Sequence, residues 1–318
     1  MKHNKVKFTR ITLFIFIILT VASNIFPQGT LYRVIAASKN ITAGKINSNI
    51  WKPVCTGDIL SIDDILKLQS EGYIGLISSN GRSFEINNAG IYKLSDLVNT
   101  KHKLSPGLQK IADQIITESI KNNKKSENIK SEGSVVSSGV GVIENYAPLT
   151  SRLLDTYLHP AWYSAGNGTN YTFKLIDDGN KPVCRVETKD TTVSIDLNKF
   201  ELEKDKNYYW VIYNSSNPDV KTDTCSFSLL SDAAWKITTD SLENIRHDLD
   251  VNSAVDNYLF IKCLESFGLN YDALAGYENL IKLYPDIDEY RNSFLMFLLK
   301  QNVTKKAELL LSSMKNLN

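Results

Sequence analysis

The sequence predicts a multidomain chain, mainly β with an α-helical C-terminal region: a β domain, a β-sandwich and an α-helical repeat, in that order. Three observations predict this. Apolar and polar residues alternate between turn-forming dipeptides over residues 31–97 and again over 146–230. From Ala233 onward the apolar spacing changes to that of a helix, and within that last stretch the pattern recurs after 34 residues. A side-chain period of about 2 marks a half-buried strand and one of about 3.6 a helix. The 318 residues suffice for two or three domains.

The N-terminus sets the compartment. Lys2, Lys5, Lys7 and Arg10 precede an apolar core from Leu13 to Ala22, with no acidic residue among them. Residues 1–28 therefore read as a signal peptide or an N-terminal anchor. Val21-Ala22-Ser23 offers small residues for cleavage, and Ser23 and Asn24 interrupt the run short of the roughly 20 apolar residues of a span. Either way the basic flank stays inside and the rest is exported, to the periplasm or outer envelope. A retained segment would be the chain's membrane contact. The net charge of +1, with 42% hydrophobic and 22% charged residues, argues against a nucleic-acid surface.

Residues 31–97 form the first β domain. Ile59, Leu66 and Leu68 fall in strand-like runs, Gly57-Asp58 and Gly90 mark turns, and Asn80-Gly81 separates YIGLIS from RSFEIN as a two-residue hairpin turn would. The run W-x-P-V-x-x-G-D from Trp51, then N-G-x-x-F-x-I from Asn80, then G-x-Y-x-L from Gly90 resembles the FecR-like β domain of bacterial envelope proteins. In signalling members of that family a cytoplasmic anti-sigma segment precedes the membrane span. Here residues 1–10 stand in its place.

Residues 104–123 predict a helix, with Ser105 as cap, Pro106 in the first turn, and Leu108, Ile111, Ile115 and Ile116 on one face to pack against the β domain. Residues 124–145 are rich in Ser, Lys, Asn and Gly and read as a flexible linker. Over 146–230 the strands are NYTFKLI with Tyr171, Phe173 and Leu175, then KPVCRVE, TTVSIDL with Val193, Ile195 and Leu197, YYWVIY, and TCSFSLL. Leu202, Tyr208 and Trp210, in the spacing L-x5-Y-x-W, resemble the tyrosine corner of fibronectin type III and related immunoglobulin-like domains. The resemblance implies that the Tyr208 hydroxyl bonds back to the chain.

Residues 233–318 read as helical repeats. Ala273, Tyr277, Leu280 and Pro285 set a pattern that recurs as Ala307, Leu311 and Met314, and Phe260, Ile261 and Leu264 recur as Phe294, Leu295 and Leu298. The pattern resembles that of tetratricopeptide repeats, whose helix pairs are used for binding. A preceding helix, from Ala233 to Leu249, would cap the repeats, with Trp235 in the core. Leu309, Leu310, Leu311, Met314 and Leu317 form an apolar face predicted to pack on the sandwich or on a partner.

No catalytic, cofactor-binding or metal-binding motif stands out. The four histidines, His3, His102, His159 and His247, are scattered, and Asp63-Asp64 and Asp177-Asp178 lie beside turn signals, where Asp bonds its own backbone. Of four cysteines, Cys184 and Cys225 share a domain and form the one disulfide pair worth naming; four buried small hydrophobes is the other reading. The sequence thus predicts a non-enzymatic exported scaffold or binding protein of the bacterial cell envelope. Its partners are proteins, held through its helical repeats and β modules, with no cofactor and no nucleic acid. The alternative is a FecR-like sensor or regulator of envelope signalling lacking the usual cytoplasmic segment.

Overall fold

The computed structural model describes residues 30–70, 72–97, 103–118 and 142–316. The signal or anchor reading of residues 1–28 falls outside them, as does the linker up to residue 141. The described part of the linker, 142–145, belongs to the sandwich instead, because Ile143 is buried in its core and Val142 bridges Lys221.

The first β domain has two four-stranded antiparallel sheets. One orders β4 (Ile59–Ser61), β1 (Leu31–Ala37), β6 (Ile74–Ser78) and β7 (Ser83–Ile86); the other orders β3 (Trp51–Pro53), β2 (Ile41–Lys45), β5 (Asp64–Leu68) and β8 (Gly90–Lys93). Tyr32, Val34, Leu66, Leu68, Ile74 and Leu76 close on one another between them. The β6–β7 turn departs from the expected two-residue form. Gly81 alone takes a left-handed φ of 78°, the Gly81 N–H donates to the Ser78 carbonyl, and the Ser78 N–H donates to the Arg82 carbonyl. This is a longer hairpin loop closed by one left-handed glycine, so Asn80 needs no positive φ.

The second β module has one large sheet and one vestigial pair. The large sheet orders β12 (Pro182–Thr188), β11 (Tyr171–Asp177), β14 (Asn207–Asn214), β16 (Cys225–Leu229) and β9 (Thr150–Leu153), with β15 (Asn217–Lys221) on β14. The second sheet, among the described residues, is the pair β10 (Tyr157–Leu158) and β13 (Ile195–Asp196), with isolated bridges from Asn145 to Trp162 and from Ala161 to Thr192. The TTVSIDL run is cut short because the Asp196 carboxylate accepts the Asn198 N–H and turns Leu197–Lys199 into a 3-10 turn. Val193, Ile195 and Leu197 nevertheless all reach the core.

Six helices are described: α1 (106–118), α2 (Asp232–His247), α3 (Ala254–Ser266), α4 (Asn270–Leu283), α5 (Asp288–Lys300) and α6 (Thr304–Asn316). Helices α3 and α5 begin 34 residues apart, as do α4 and α6. The turns between the helices of each pair agree as well. Gly268 and Asn302 both take left-handed φ, of 74° and 54°, and the N–H groups of Leu269 and Val303 each donate five residues back, to the Leu264 and Leu298 carbonyls. These bonds cap otherwise orphaned carbonyls at the helix C-termini. The described chain is thus mixed, β then α rather than mainly β, with one β domain, one sandwich and a C-terminal helical layer.

Candidate functional site: a groove on the helical layer

The helices stand like rungs between the two β modules. Where α3 begins, the Glu85 carboxylate of β7 accepts the Ala254 N–H at 3.0 Å; where it ends, the Gly268 carbonyl accepts the Arg152 N–H of β9 at 2.8 Å. Helix α4 starts at the sandwich, where the Asn270 amide donates to the Thr150 carbonyl and the Tyr271 hydroxyl accepts from the Trp210 indole at 3.2 Å. Helix α5 starts at the first β domain, with Lys39 beside Asp288 and the Tyr73 and Tyr290 hydroxyls 2.6 Å apart. Thirteen residues of α3 at about 1.5 Å per residue set the modules about 20 Å apart.

The same arrangement buries the face between α3 and α5. Ile35, Ala36, Tyr73 and Ile77 of the β domain and Leu108, Ala112 and Ile115 of α1 join one core with Val255, Tyr258, Tyr290 and Phe294. Burial pushes the hydroxyl pKa values of Tyr73 and Tyr290 well above the usual tyrosine value. Beside this core the Lys262 ammonium pairs with Glu118 and Glu265, and Glu265 also accepts the Tyr277 hydroxyl at 2.7 Å. These polar groups hold the layer together.

On the other side of the helices a groove of 410 Å³ lies open between α2, α3 and α4. It exists because Ala275 and Gly276 are small. A Cβ on Gly276 would lie 2.7 Å from Cγ1 of Ile261, so α3 and α4 cross closely there. Ile261, Leu264 and Leu280 make the floor, Leu154, Leu242 and Leu283 the walls. At the rim the Arg246 guanidinium lies 3.9 Å from the centre of the Phe260 ring. Arg246 and Asp272, both exposed, have no ion-pair partner among the described residues. The arrangement suits an apolar segment flanked by charge.

The repeat residues named from sequence fall in this layer. Ala273, Tyr277, Leu280, Ala307, Leu311 and Met314 are buried, and Pro285 is exposed in the turn after α4. Of the apolar face expected on the last helix, Leu311 and Met314 turn into the helical core, Leu310 packs against it, Leu309 faces water, and Leu317 lies outside the described residues. Trp235 is not core. It is 46% exposed, and its indole donates to the Leu154 carbonyl, docking α2 on the sandwich edge. In the sandwich, Leu202 packs against the core, Trp210 is fully buried, and the Tyr208 hydroxyl accepts the Glu203 N–H at 2.7 Å.

The Cys184–Cys225 pairing is excluded by register. Leu175 pairs with both Cys184 and Trp210, and Trp210 pairs with Cys225, so two strands intervene. Three interstrand steps of about 4.8 Å exceed the roughly 7 Å that a disulfide spans. All four cysteines are free; Cys225 and Cys263 are buried, Cys184 is half-buried and Cys55 is exposed, which corrects the reading of four buried small hydrophobes. Asp64 accepts the Ser61 N–H, and Asp177 accepts those of Gly179 and Lys181, so both serve turns. Among the described residues no cluster of His, Cys, Asp and Glu could hold a metal ion, and no helix is long and apolar enough to cross a membrane.

Sequence missed the docking contacts, above all Trp210 to Tyr271 and Tyr73 to Tyr290. Tyrosine content was the available signal, but partners 61 and 217 residues apart leave no local pattern.

No protein-family model matches the chain, and no curated protein matches its sequence. Solved structures overlap it weakly. The FN1–FN3 domains of chicken CNTN1 align at 8% identity over 64% of this chain and 57% of that one, with a TM-score of 0.20. The BSP domain of a biofilm-associated protein aligns at 9% identity over 64% and 45%, with a TM-score of 0.25. A beta-1,2-glucanase from Parabacteroides distasonis aligns at 10% identity over 90% and 48%, with a TM-score of 0.22. The chain thus spans about half the length of the structures it matches, and scores this low establish no shared arrangement.

Proposed function

We propose that the protein is a non-enzymatic, exported scaffold of the bacterial cell envelope that holds a protein partner at the groove between α2, α3 and α4. In this reading the first domain is FecR-like, the second fibronectin type III-like, and the helical layer tetratricopeptide-like. The 34-residue spacing and the matched turns at Gly268 and Asn302 support the last of these. The observation that carries the function is that the two β modules occupy the ends of the helices and the face between α3 and α5, leaving this groove open. The partner contributes an apolar side chain to the floor and opposite charges to Arg246 and Asp272.

A photo-crosslinking residue in place of Leu283, in cells of the native host, tests this. A discrete adduct is expected, and Arg246→Glu should weaken it without changing helix content. Adducts that form equally from a crosslinker at Lys305, away from the groove, would overturn the assignment.

A further inference from the structure

The first β domain covers its two sheets unequally. The outer face of β4-β1-β6-β7 sends Ile35 and Ile77 into the helical core. Among the described residues, nothing packs on the outer face of β3-β2-β5-β8. Its register sets out two rows across all four strands: Trp51, Gly44, Ile65 and Lys93, then Pro53, Thr42, Lys67 and Ile91. Trp51 is 38% exposed and Ile91 67%. The Trp51 ring lies against Gly44, where a Cβ would meet it at 3.3 Å. Neither row holds an acidic residue, and Lys67 and Lys93 have no ion-pair partner among the described residues.

We infer that this face rests on the surface of an anionic bilayer. Trp and Ile beside lysines suit the boundary between acyl chains and headgroups, where an indole sits in the interface and ammonium groups meet phosphates. A protein partner fits less well. Four strands about 4.8 Å apart and two rows about 7 Å apart make a patch on the order of 200–300 Å², well under the roughly 800 Å² per partner of a stable interface. A glycan fits less well too, because Thr42 is the one side-chain hydroxyl in the two rows. The inference concerns a different face and ligand from the groove, so it stands or falls separately.

The test uses the full chain and phosphatidylglycerol/phosphatidylcholine vesicles with brominated acyl chains, which quench nearby tryptophan. Residues 13–22 are apolar themselves, so the position of Trp51, not vesicle binding, is the readout. Quenching is expected for the native chain and for Trp235→Phe, with the quenchable component absent in Trp51→Phe. Lys67→Gln/Lys93→Gln should lose most of the Trp51 quenching at saturating vesicles, because about fivefold per lysine lowers the ratio of docked to undocked face about twenty-fivefold. Equal quenching of Trp51→Phe overturns the inference, as does equal quenching by phosphatidylcholine alone. A Trp51 emission shift with dextran sulfate but not with vesicles would also overturn it, by making the occupant an anionic polysaccharide.

Discussion

Gly75→Ala tests the docking of the first β domain on the helices. Gly75 lies on β6 facing α3, and an added Cβ would fall inside the van der Waals radius of Cγ2 of Val255, which is fully buried. Carbon atoms settle at about 3.5–4.0 Å, so either the sheet withdraws or Val255 changes rotamer. A β-branched residue in a helix has one strongly preferred rotamer, so that escape is costly. Overpacking of this kind costs about 1–3 kcal/mol. Val255→Ala alone should also destabilise, by about 1–3 kcal/mol, through the cavity it leaves. In Gly75→Ala/Val255→Ala the new methyl occupies part of that cavity. The double variant should therefore be more stable than the sum of the singles by about 1 kcal/mol or more. Native-state hydrogen exchange of α3 and urea unfolding give the three values. Additivity within about 0.5 kcal/mol would mean that the two residues do not meet in solution, and the rung-like arrangement would fail at its first-domain end.

Other consequences are direct. Tyr208→Phe leaves the Glu203 N–H without its acceptor and should cost about 1 kcal/mol, read as a lower midpoint of thermal unfolding. Ala273→Glu puts a charge at a fully buried position between helices and should cost several kcal/mol, seen as lost helical circular dichroism at room temperature. Thiol titration without reductant should find four free thiols, with Cys55 reacting first and Cys225 and Cys263 only on unfolding. Burial, then the Glu278 carboxylate beside it, pushes the Tyr146 hydroxyl up to about 12. The folded protein then keeps a proton that the unfolded chain loses near pH 10, so stability should fall between about pH 10 and 12. Tyr146→Phe should flatten that fall.

Local pattern alone determined the fold class. Strand alternation in the two β modules and the helical period after Ala233 reflect neighbours two to four residues apart, which any single sequence displays. The burial of Ala273, Leu280, Ala307 and Met314 follows from the same short-range rule. Tertiary structure alone decided where these pieces meet. Trp235 has the apolar bulk of a core residue, yet its indole N–H finds the Leu154 carbonyl and leaves the ring at the surface. Cys184 and Cys225 share a module but are separated by sheet order, which their spacing does not encode. Among the described residues, the open groove and the uncovered outer face of β3-β2-β5-β8 are what remains after long-range docking has buried other faces. That docking depends on shape complementarity between residues far apart in the chain, as between Gly75 and Val255, and leaves no periodicity to read.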